Sequence, residues 1–426
     1  MVQIMGRCGR YIPIFPGTIS AEVRLQSHNI VSGAYAMNRN PSSVKKSLTS
    51  AVVALTGIFA AEELQAAPLS LPAALQIDAG PVGKLNLQGA ASAYGMWQDN
   101  AFAGSGTPGN KTASADISNG LVMLSKTDGM FQFAVQAGAY NVITLGAPFA
   151  STGTFTQNTF GALPTAYVEF APTDHFNIQV GKLFTLIGAE YTFSYQNWNI
   201  NRGLLWGQEN AVNKGVQLNY TAGPVTAALS WNDGFYSNRF NWVTGMLTWA
   251  VDKKNSVFLQ AGGNLGHTDY VHESLATAPL QNNETIAVAG YTYTGDTLVL
   301  TPYLQYTSVP ASAIQALGAG SKRTSTLGAA VLADYSFSDT MSLAGRVEYI
   351  SNSGNLTDGS ANLTGFGPGS HAWSLTVTPT YQKGSYFARA ELAYVAASMA
   401  ADTGIFGRSG LNQSQVRGMV ETGFLF

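Results

Sequence analysis

The feature that most constrains this chain is a regular succession of short turns and long polar stretches. Seven tight connections rich in Gly, Pro, Asp or Asn each separate two runs in which apolar residues alternate with small or polar ones, as in β-hairpins. These connections lie at 126–129, 171–174, 221–224, 252–255, 294–296, 336–339 and 382–385. The pattern predicts a chain built almost entirely of antiparallel hairpins.

Between the hairpins lie eight longer stretches that are rich in Gly, Ser, Thr and Asn. They cover approximately 98–114, 141–161, 184–212, 233–240, 266–283, 308–324, 351–369 and 398–413. Seven turns and eight long loops require sixteen strands, which begin near Lys84 and end at Phe426. We therefore predict an all-β fold, a transmembrane antiparallel β-barrel of about 16 strands over 84–426, with short periplasmic turns and long outer loops.

The individual strands alternate with the period of two that a wall between lipid and water requires. For example, Val225, Ala227 and Leu229 alternate with Thr226 and Ser230. Strands of soluble domains alternate too, but they average about 5–6 residues, whereas runs of about 10–13 residues suit a tilted membrane crossing. Two prolines should interrupt the hydrogen-bond ladder within predicted strands, and one valine would face inward. These residues are Pro302, Pro379 and Val299.

Composition separates this chain both from soluble proteins and from helical membrane proteins. Charged residues make up 11% of the chain, against about 25% in soluble domains. Apart from the leader, the sequence has no run of about 18 apolar residues that could span a bilayer as a helix. A barrel wall whose strands alternate apolar and polar residues is compatible with both the low charge and the lack of long apolar runs.

The N-terminal region has the pattern of an export signal. Residues 37–66 contain a basic segment, an apolar segment and a small-residue cleavage site after Ala66, which together predict a signal peptide. Residues 1–36 are then an upstream extension with no predicted structure, and 67–83 are a short lead-in to the barrel. The single cysteine, Cys8, lies in the extension, so the mature chain would have no disulfide and no cysteine metal site.

Charge and motifs argue against nucleic-acid binding and against catalysis. Removing 1–66 leaves 16 basic and 21 acidic residues, a net charge of about −5, which disfavours a nucleic-acid partner. The four mature histidines fall near turns or in loops without a convincing metal spacing, and no nucleophile elbow or phosphate loop is present. These histidines are His175, His267, His272 and His371. We expect neither an enzyme nor a cofactor.

Residues 181–190, Gly-Lys-Leu-Phe-Thr-Leu-Ile-Gly-Ala-Glu, are similar to the G-K-x-x-T-P-F-G-x-E stretch of the OmpL-like outer-membrane β-barrel porins. Residues 215–218 and 231–234 also resemble that family, and Leu186-Ile187 stand where it usually has Pro-Phe. The alternating run 416–426, which ends on Phe426, resembles the closing strand whose terminal aromatic is read by the barrel-assembly machinery.

The resemblance implies a bacterial porin embedded in outer-membrane lipid, a passive diffusion channel for small hydrophilic solutes and ions. It leaves open whether three copies assemble as a homotrimer. The alternative is a structural or adhesive surface barrel whose lumen is blocked.

A sixteen-stranded lumen is too wide for wall side chains alone to fill, so a selective pore needs a loop that narrows it. The longest loop, 184–212, does this in the porins that the chain resembles, and here it carries four polar candidates for a constriction. They are Glu190, Tyr191, Arg202 and Glu209. The alternative is that this loop only caps the mouth of the barrel.

Three late strands place charges on the inward face, because these positions are out of phase with the apolar ones. They are Arg346, Glu348, Arg389, Glu391, Arg417 and Glu421. Opposite charges facing one another across a narrow passage create a transverse field that favours small polar solutes. Alternatively, each arginine pairs with its neighbouring glutamate, and the two interpretations are compatible.

Overall fold

The computed structural model describes residues 69–102, 108–268, 274, 276–398, 406–407 and 409–426. The extension and signal peptide predicted for 1–66, and His272, lie outside the described residues. Within this part of the chain, no helix is long and apolar enough to cross a membrane.

The strands form one antiparallel sheet in which sixteen strands, β2 to β17, close into a barrel. The strands are β1 (Leu75–Asp78), β2 (Lys84–Gln98), β3 (Ala113–Lys126), β4 (Phe131–Tyr140), β5 (Thr165–Thr173), β6 (Phe176–Phe184), β7 (Val212–Ala222), β8 (Val225–Asn232), β9 (Trp242–Ala250), β10 (Asn255–Asn264), β11 (Thr285–Thr294), β12 (Leu298–Val309), β13 (Thr324–Ser338), β14 (Met341–Asn352), β15 (His371–Lys383), β16 (Tyr386–Ser398) and β17 (Ser414–Leu425). The last strand closes the barrel by pairing with β2, with Val420 opposite Gly95. The predicted sixteen-stranded barrel is confirmed, and each of the seven short turns joins the two strands expected of it.

Short helices occupy the connections and the lead-in. They are α1 (Thr152–Asn158), α2 (Ala311–Ala316) and the 3-10 turns Gly80–Val82, Pro108–Asn110, Ser194–Gln196, Leu205–Gln208 and Gln281–Asn283. Two of these 3-10 turns, Ser194–Gln196 and Leu205–Gln208, lie in the long loop between β6 and β7.

Strand alternation separates an outer apolar face from an inner face. On β15, Trp373 and Leu375 are exposed on the outside, whereas Ser374 and Thr376 are fully buried inside. The predicted prolines interrupt the ladder on one side, since β11 has no register partner for Pro302 and β16 has none for Pro379. This is expected because proline has no N–H to donate.

The inner face is not polar throughout. On β10 to β14 it carries a group of buried apolar side chains in addition to Val299. They are Phe258, Ile286, Val288, Tyr303, Ala330, Leu332 and Ala344. One part of the barrel interior is therefore packed like the core of a soluble protein.

The lead-in reaches the short-turn mouth of the barrel. Strand β1 pairs with the start of β2, where Leu75 is opposite Leu87 and Asp78 opposite Lys84. Further upstream, the Ser70 N–H donates to Gln382 Oε1 at 2.9 Å, and Gln382 Nε2 donates to the Ser70 carbonyl at 2.7 Å. These bonds attach the lead-in to the wall at β15.

The C-terminus is fixed to the first barrel strand. Phe426 and Gly89 exchange two backbone hydrogen bonds, of 3.0 and 2.6 Å. A Cβ at Gly89 would overlap the Phe426 ring, so a glycine is needed where the terminal aromatic packs.

Candidate functional site

The loop between β6 and β7, residues 185–211, lies inside the barrel, and we call it the third loop. Its base is closed by the Thr185 N–H, which donates to the Ala211 carbonyl at 3.1 Å, and by the Thr185 hydroxyl, which donates to Asn210 at 2.7 Å. Beyond the base it is hydrogen-bonded to inward residues of β3, β10, β12, β14, β16 and β17. The wall residues are Asn119, Gln260, Gln305, Glu348, Glu391 and Glu421.

Three carboxylates bind the backbone of the central segment of this loop, 200–205. Glu391 accepts hydrogen bonds from the N–H groups of Ile200 and Asn201. Glu348 accepts from Leu204 at 2.9 Å and Leu205 at 3.2 Å. The third carboxylate, Glu190 of the loop itself, accepts from the Gly203 N–H at 2.7 Å. Consecutive N–H groups that face anions in this way hold an irregular backbone in one conformation.

Arg346 on β14 joins the wall to the loop. Its Nη1 lies 2.5 Å from Glu190 Oε1 and donates to the Asn201 carbonyl at 2.9 Å. Its Nε lies 3.2 Å from Glu348 Oε2, on the same strand. One guanidinium thus compensates both carboxylates that bind 203–205.

A second pair, on β16 and β17, holds the start of the loop. Arg389 contacts Glu421 through two nitrogens, at 2.7 and 2.5 Å, and donates to the carbonyls of Ser194 and Asn197 at 2.7 Å each. Glu421 also accepts a hydrogen bond from the Ser194 hydroxyl at 2.8 Å. Arg389 therefore pairs with its cross-strand neighbour Glu421 and not with Glu391 on its own strand, whereas Arg346 does pair with Glu348 on its own strand as predicted. Both partners of the Arg389–Glu421 pair also bind the loop.

The two remaining guanidinium groups bind neutral oxygens. Arg417 donates to Asn201 Oδ1 at 2.9 Å, and no carboxylate of the described residues forms an ion pair with it. Arg202 donates to the carbonyls of Tyr191, Asn199 and Ile200 at 2.7–3.0 Å. Both arginines therefore fix the loop conformation through its main chain and amides.

Nine of the ten candidate residues are at most 6% exposed, and the tenth, Tyr191, is half-buried. The structure brings eight charged candidates into one network: Glu190, Arg202, Arg346, Glu348, Arg389, Glu391, Arg417 and Glu421. Glu209 forms no hydrogen bond with this network and lies against Gly188, where a Cβ would overlap its carboxylate. Within the described chain no three His, Cys, Asp or Glu side chains lie close enough to hold a metal ion.

Apolar contacts hold the other face of the third loop. Ile187, Trp198, Leu204 and Leu205 belong to one buried cluster with the inward apolar residues of β10 to β14. Sequence reasoning missed this half of the site, because inward positions were expected to be polar, and Val299 was the single indication to the contrary.

Sequence reasoning also missed three asparagines that alternate along the loop. Asn197 Nδ2 donates to the carbonyls of Tyr191 and Phe193, and Asn199 donates to Thr378 on β15 at 2.8 Å. The third, Asn201, accepts a hydrogen bond from Arg417 through its Oδ1. The spacing of 197, 199 and 201 was the available signal, since short amides favour irregular, self-bonded backbone.

Comparison with known proteins places this geometry in context. A family model described as "Putative beta-barrel porin-2, OmpL-like" matches residues 84–426. No curated protein sequence matches the chain closely enough to count as a relative.

Solved structures share the fold at low sequence identity. The outer membrane channel DcaP of Acinetobacter baumannii aligns with a TM-score of 0.54 and 11% identity, over 83% of this chain and 100% of that one. In-vitro folded OmpT, an outer membrane protein of Vibrio cholerae, aligns with a TM-score of 0.52 and 10% identity, over 82% and 98% of the two chains. OmpT of Vibrio cholerae expressed in the outer membrane aligns with a TM-score of 0.51 and 12% identity, over 83% of this chain and 100% of that one.

Proposed function

Because this chain belongs to the OmpL-like β-barrel porin family, we propose that it is a porin for passive diffusion of small hydrophilic solutes and ions, with its narrowest point at the third loop. The observation that supports this most strongly is the attachment of that loop to the inner wall through Arg346, Arg389, Glu348, Glu391 and Glu421. A loop held by buried ionic hydrogen bonds can define a fixed aperture, whereas a mobile one cannot.

The proposal includes the route to the membrane. Signal peptide 37–66 would direct export and be cleaved after Ala66, and the barrel-assembly machinery would read the terminal Phe426. The outward Phe426 ring, packed at Gly89 where the barrel closes, is consistent with an assembly role and not with pore chemistry. A Phe426→Ser variant should reach the outer membrane at reduced levels while its single channels keep the wild-type conductance. Normal levels would contradict the assembly role.

Ion selectivity would follow from the charges around the third loop. Residues 67–426 carry a net charge of about −5, and the third loop contributes the carboxylates Glu190 and Glu209, which the four arginines of the network oppose. Local negative potential concentrates cations where screening is incomplete. We expect a weak cation preference that is largely lost at molar salt, where the screening length is about 3 Å.

A second candidate is a structural or adhesive barrel with a blocked lumen. The burial of nine of the ten candidate residues favours it, because an open water-filled passage would leave charged wall groups exposed. Single-channel recording in planar bilayers separates the two functions. Stable current steps would support the porin, and silence from correctly folded protein would support the blocked barrel.

A further inference from the structure

The lead-in is bound to two glutamines that lie on different strands of the barrel. At one end, the Ser70 backbone exchanges its two hydrogen bonds with Gln382 near the end of β15. At the other end, Gln88 Nε2 on β2 donates to the Pro72 carbonyl at 3.2 Å. In the closed sheet β15 is separated from β2 by β16 and β17, so residues 70–72 cross these two strands.

Both glutamines face the lumen, and the crossing is therefore on the inner side of the wall. Residues directly opposite each other on neighbouring antiparallel strands lie on the same face of a sheet. Gln382 is opposite Phe387 of β16, which is fully buried inside the barrel. Gln88 is 5% exposed and lies two positions from the buried Ala90, on the same face of β2.

The crossing segment carries two leucines to an apolar patch on the inner wall at the short-turn mouth. Leu69 is 2% exposed and belongs to one buried cluster with inward residues of β2, β16 and β17, and Leu71 packs against the same cluster. The wall residues of this patch are Ala90, Phe387 and Leu425, all at most 1% exposed. Water is an unfavourable neighbour for such side chains, and the lead-in excludes it from them.

The other side of the same mouth is polar and in contact with solvent. Four inward side chains of β6, β7 and β8 continue the rows of Gln179 and Gln217 toward the short turns and are only half-buried. They are Asn177, Asn219, Thr221 and Thr226. Asn177 and Asn219 are cross-strand neighbours joined by a hydrogen bond of 2.7 Å. The accessible part of the mouth is therefore lined by amides and hydroxyls.

We propose that the lead-in narrows the short-turn mouth from the side of β15 to β2, so that solutes pass along the polar side chains of β6 to β8. This inference rests on the proposed porin function and adds a second narrowing beneath the third loop. With cleavage after Ala66, Leu69 would be the third residue of the mature chain, so no long extension would need to pass through the mouth. Amides and hydroxyls can exchange hydrogen bonds with small hydrophilic solutes.

The test measures the accessibility of the wall beneath the lead-in. The mature chain would have no cysteine of its own, so Ala90→Cys introduces a single thiol there. A water-soluble maleimide should label this thiol at least about tenfold faster in the refolded mature barrel when residues 69–74 are deleted, because the site otherwise opens only transiently. If the deletion variant does not fold, Leu69→Ser should accelerate labelling of Ala90→Cys in the same direction.

Two controls accompany this measurement. Asn177→Cys lies across the mouth, outside the patch that the lead-in covers, and should be labelled at the same rate with and without residues 69–74. Leu75→Ser alters a leucine of the same lead-in that is 57% exposed, and it should leave the labelling of Ala90→Cys unchanged. Unchanged labelling of Ala90→Cys in both the deletion and Leu69→Ser would overturn the inference.

Single-channel conductance separates this inference from the proposed function. Deleting residues 69–74 should raise the conductance, because resistances in series add and one of them is removed. Faster labelling of Ala90→Cys with unchanged current steps would refute the second narrowing. Faster labelling with silence in both wild type and deletion variant would contradict the porin while supporting the position of the lead-in inside the mouth.

Discussion

The two sides of the barrel interior hold the third loop by different interactions, ionic hydrogen bonds on one side and apolar packing on the other. On β14 to β17, Arg346 and Arg389 and the wall carboxylates bind its backbone in specified directions. On β10 to β13, buried apolar side chains pack against Leu204 and Leu205, with two glutamines as the polar contacts. Ionic hydrogen bonds define the loop conformation, whereas apolar packing is roughly proportional to the area removed from water and has no direction. The charged side should therefore determine where the aperture lies, and the apolar side how firmly the loop stays in place.

A substitution on the charged side should lower the local stability of the third loop more than a substitution on the apolar side. Arg346→Met leaves Glu190 and Glu348 buried without their cation, and breaking a buried pair from one side costs about 3–5 kcal/mol. Hydrogen exchange of the N–H groups at 203–205 should accelerate accordingly, because the local opening free energy falls.

The matched control for Arg346→Met is Lys322→Gln. Lys322 pairs with Asp358 at 3.6 Å through a side chain that is 58% exposed, and exposed pairs contribute about 0–1 kcal/mol. Exchange in the third loop should not change in this variant. Equal protection in wild type and Arg346→Met would show that the charged side does not hold the loop.

Truncation on the apolar side should have a somewhat smaller effect. Leu205 is fully buried, and a Cβ added at Gly328 would lie only 2.9 Å from Leu205 Cγ. Leu205→Ala should cost about 2–4 kcal/mol of local stability, since it removes buried methyl groups and leaves a cavity. The same exchange measurement checks this, with Leu218→Ala on the outer face of β7, where Leu218 is 39% exposed, as the control. A larger loss of local stability in Leu205→Ala than in Arg346→Met would reverse the ranking of the two sides.

The smallest expected effect is on ion selectivity. Glu190→Gln removes one negative charge from the network, so it should shift the reversal potential in a salt gradient toward anion preference. The shift should be largest near 0.1 M salt, where the screening length is about 10 Å, and small at 1 M. An unchanged reversal potential at low salt would mean that ions do not pass near Glu190.

Much of the fold could be predicted from the sequence because hairpin turns are local. The Asp-Gly at 128–129 and the Gly-Pro at 223–224 fix a turn whatever the rest of the chain does, and strand parity then places Arg346 and Glu391 inward. The lead-in strand β1 was missed, because four residues are too few to show a period, although Gly80-Pro81 before β2 was an available turn signal.

The conformation of the third loop could not be predicted in the same way. The backbone N–H groups of Ile200, Asn201, Leu204 and Leu205 bind wall carboxylates that are 143–191 residues away in the chain, and no local pattern encodes such contacts. The apolar half of the lumen was also missed, because strand parity predicts which side chains face inward but not whether water or a loop will meet them there.

The central claim is that the third loop, held from both sides, sets the aperture of the barrel. It is tested most directly by single-channel conductance in planar bilayers, comparing wild type with the double variant Arg346→Met/Leu205→Ala. We predict small, stable steps for the wild type and steps several-fold larger, or noisier, for the double variant, since its loop would leave the wall. Identical steps in folded samples of both proteins would contradict the claim, as would silence in both.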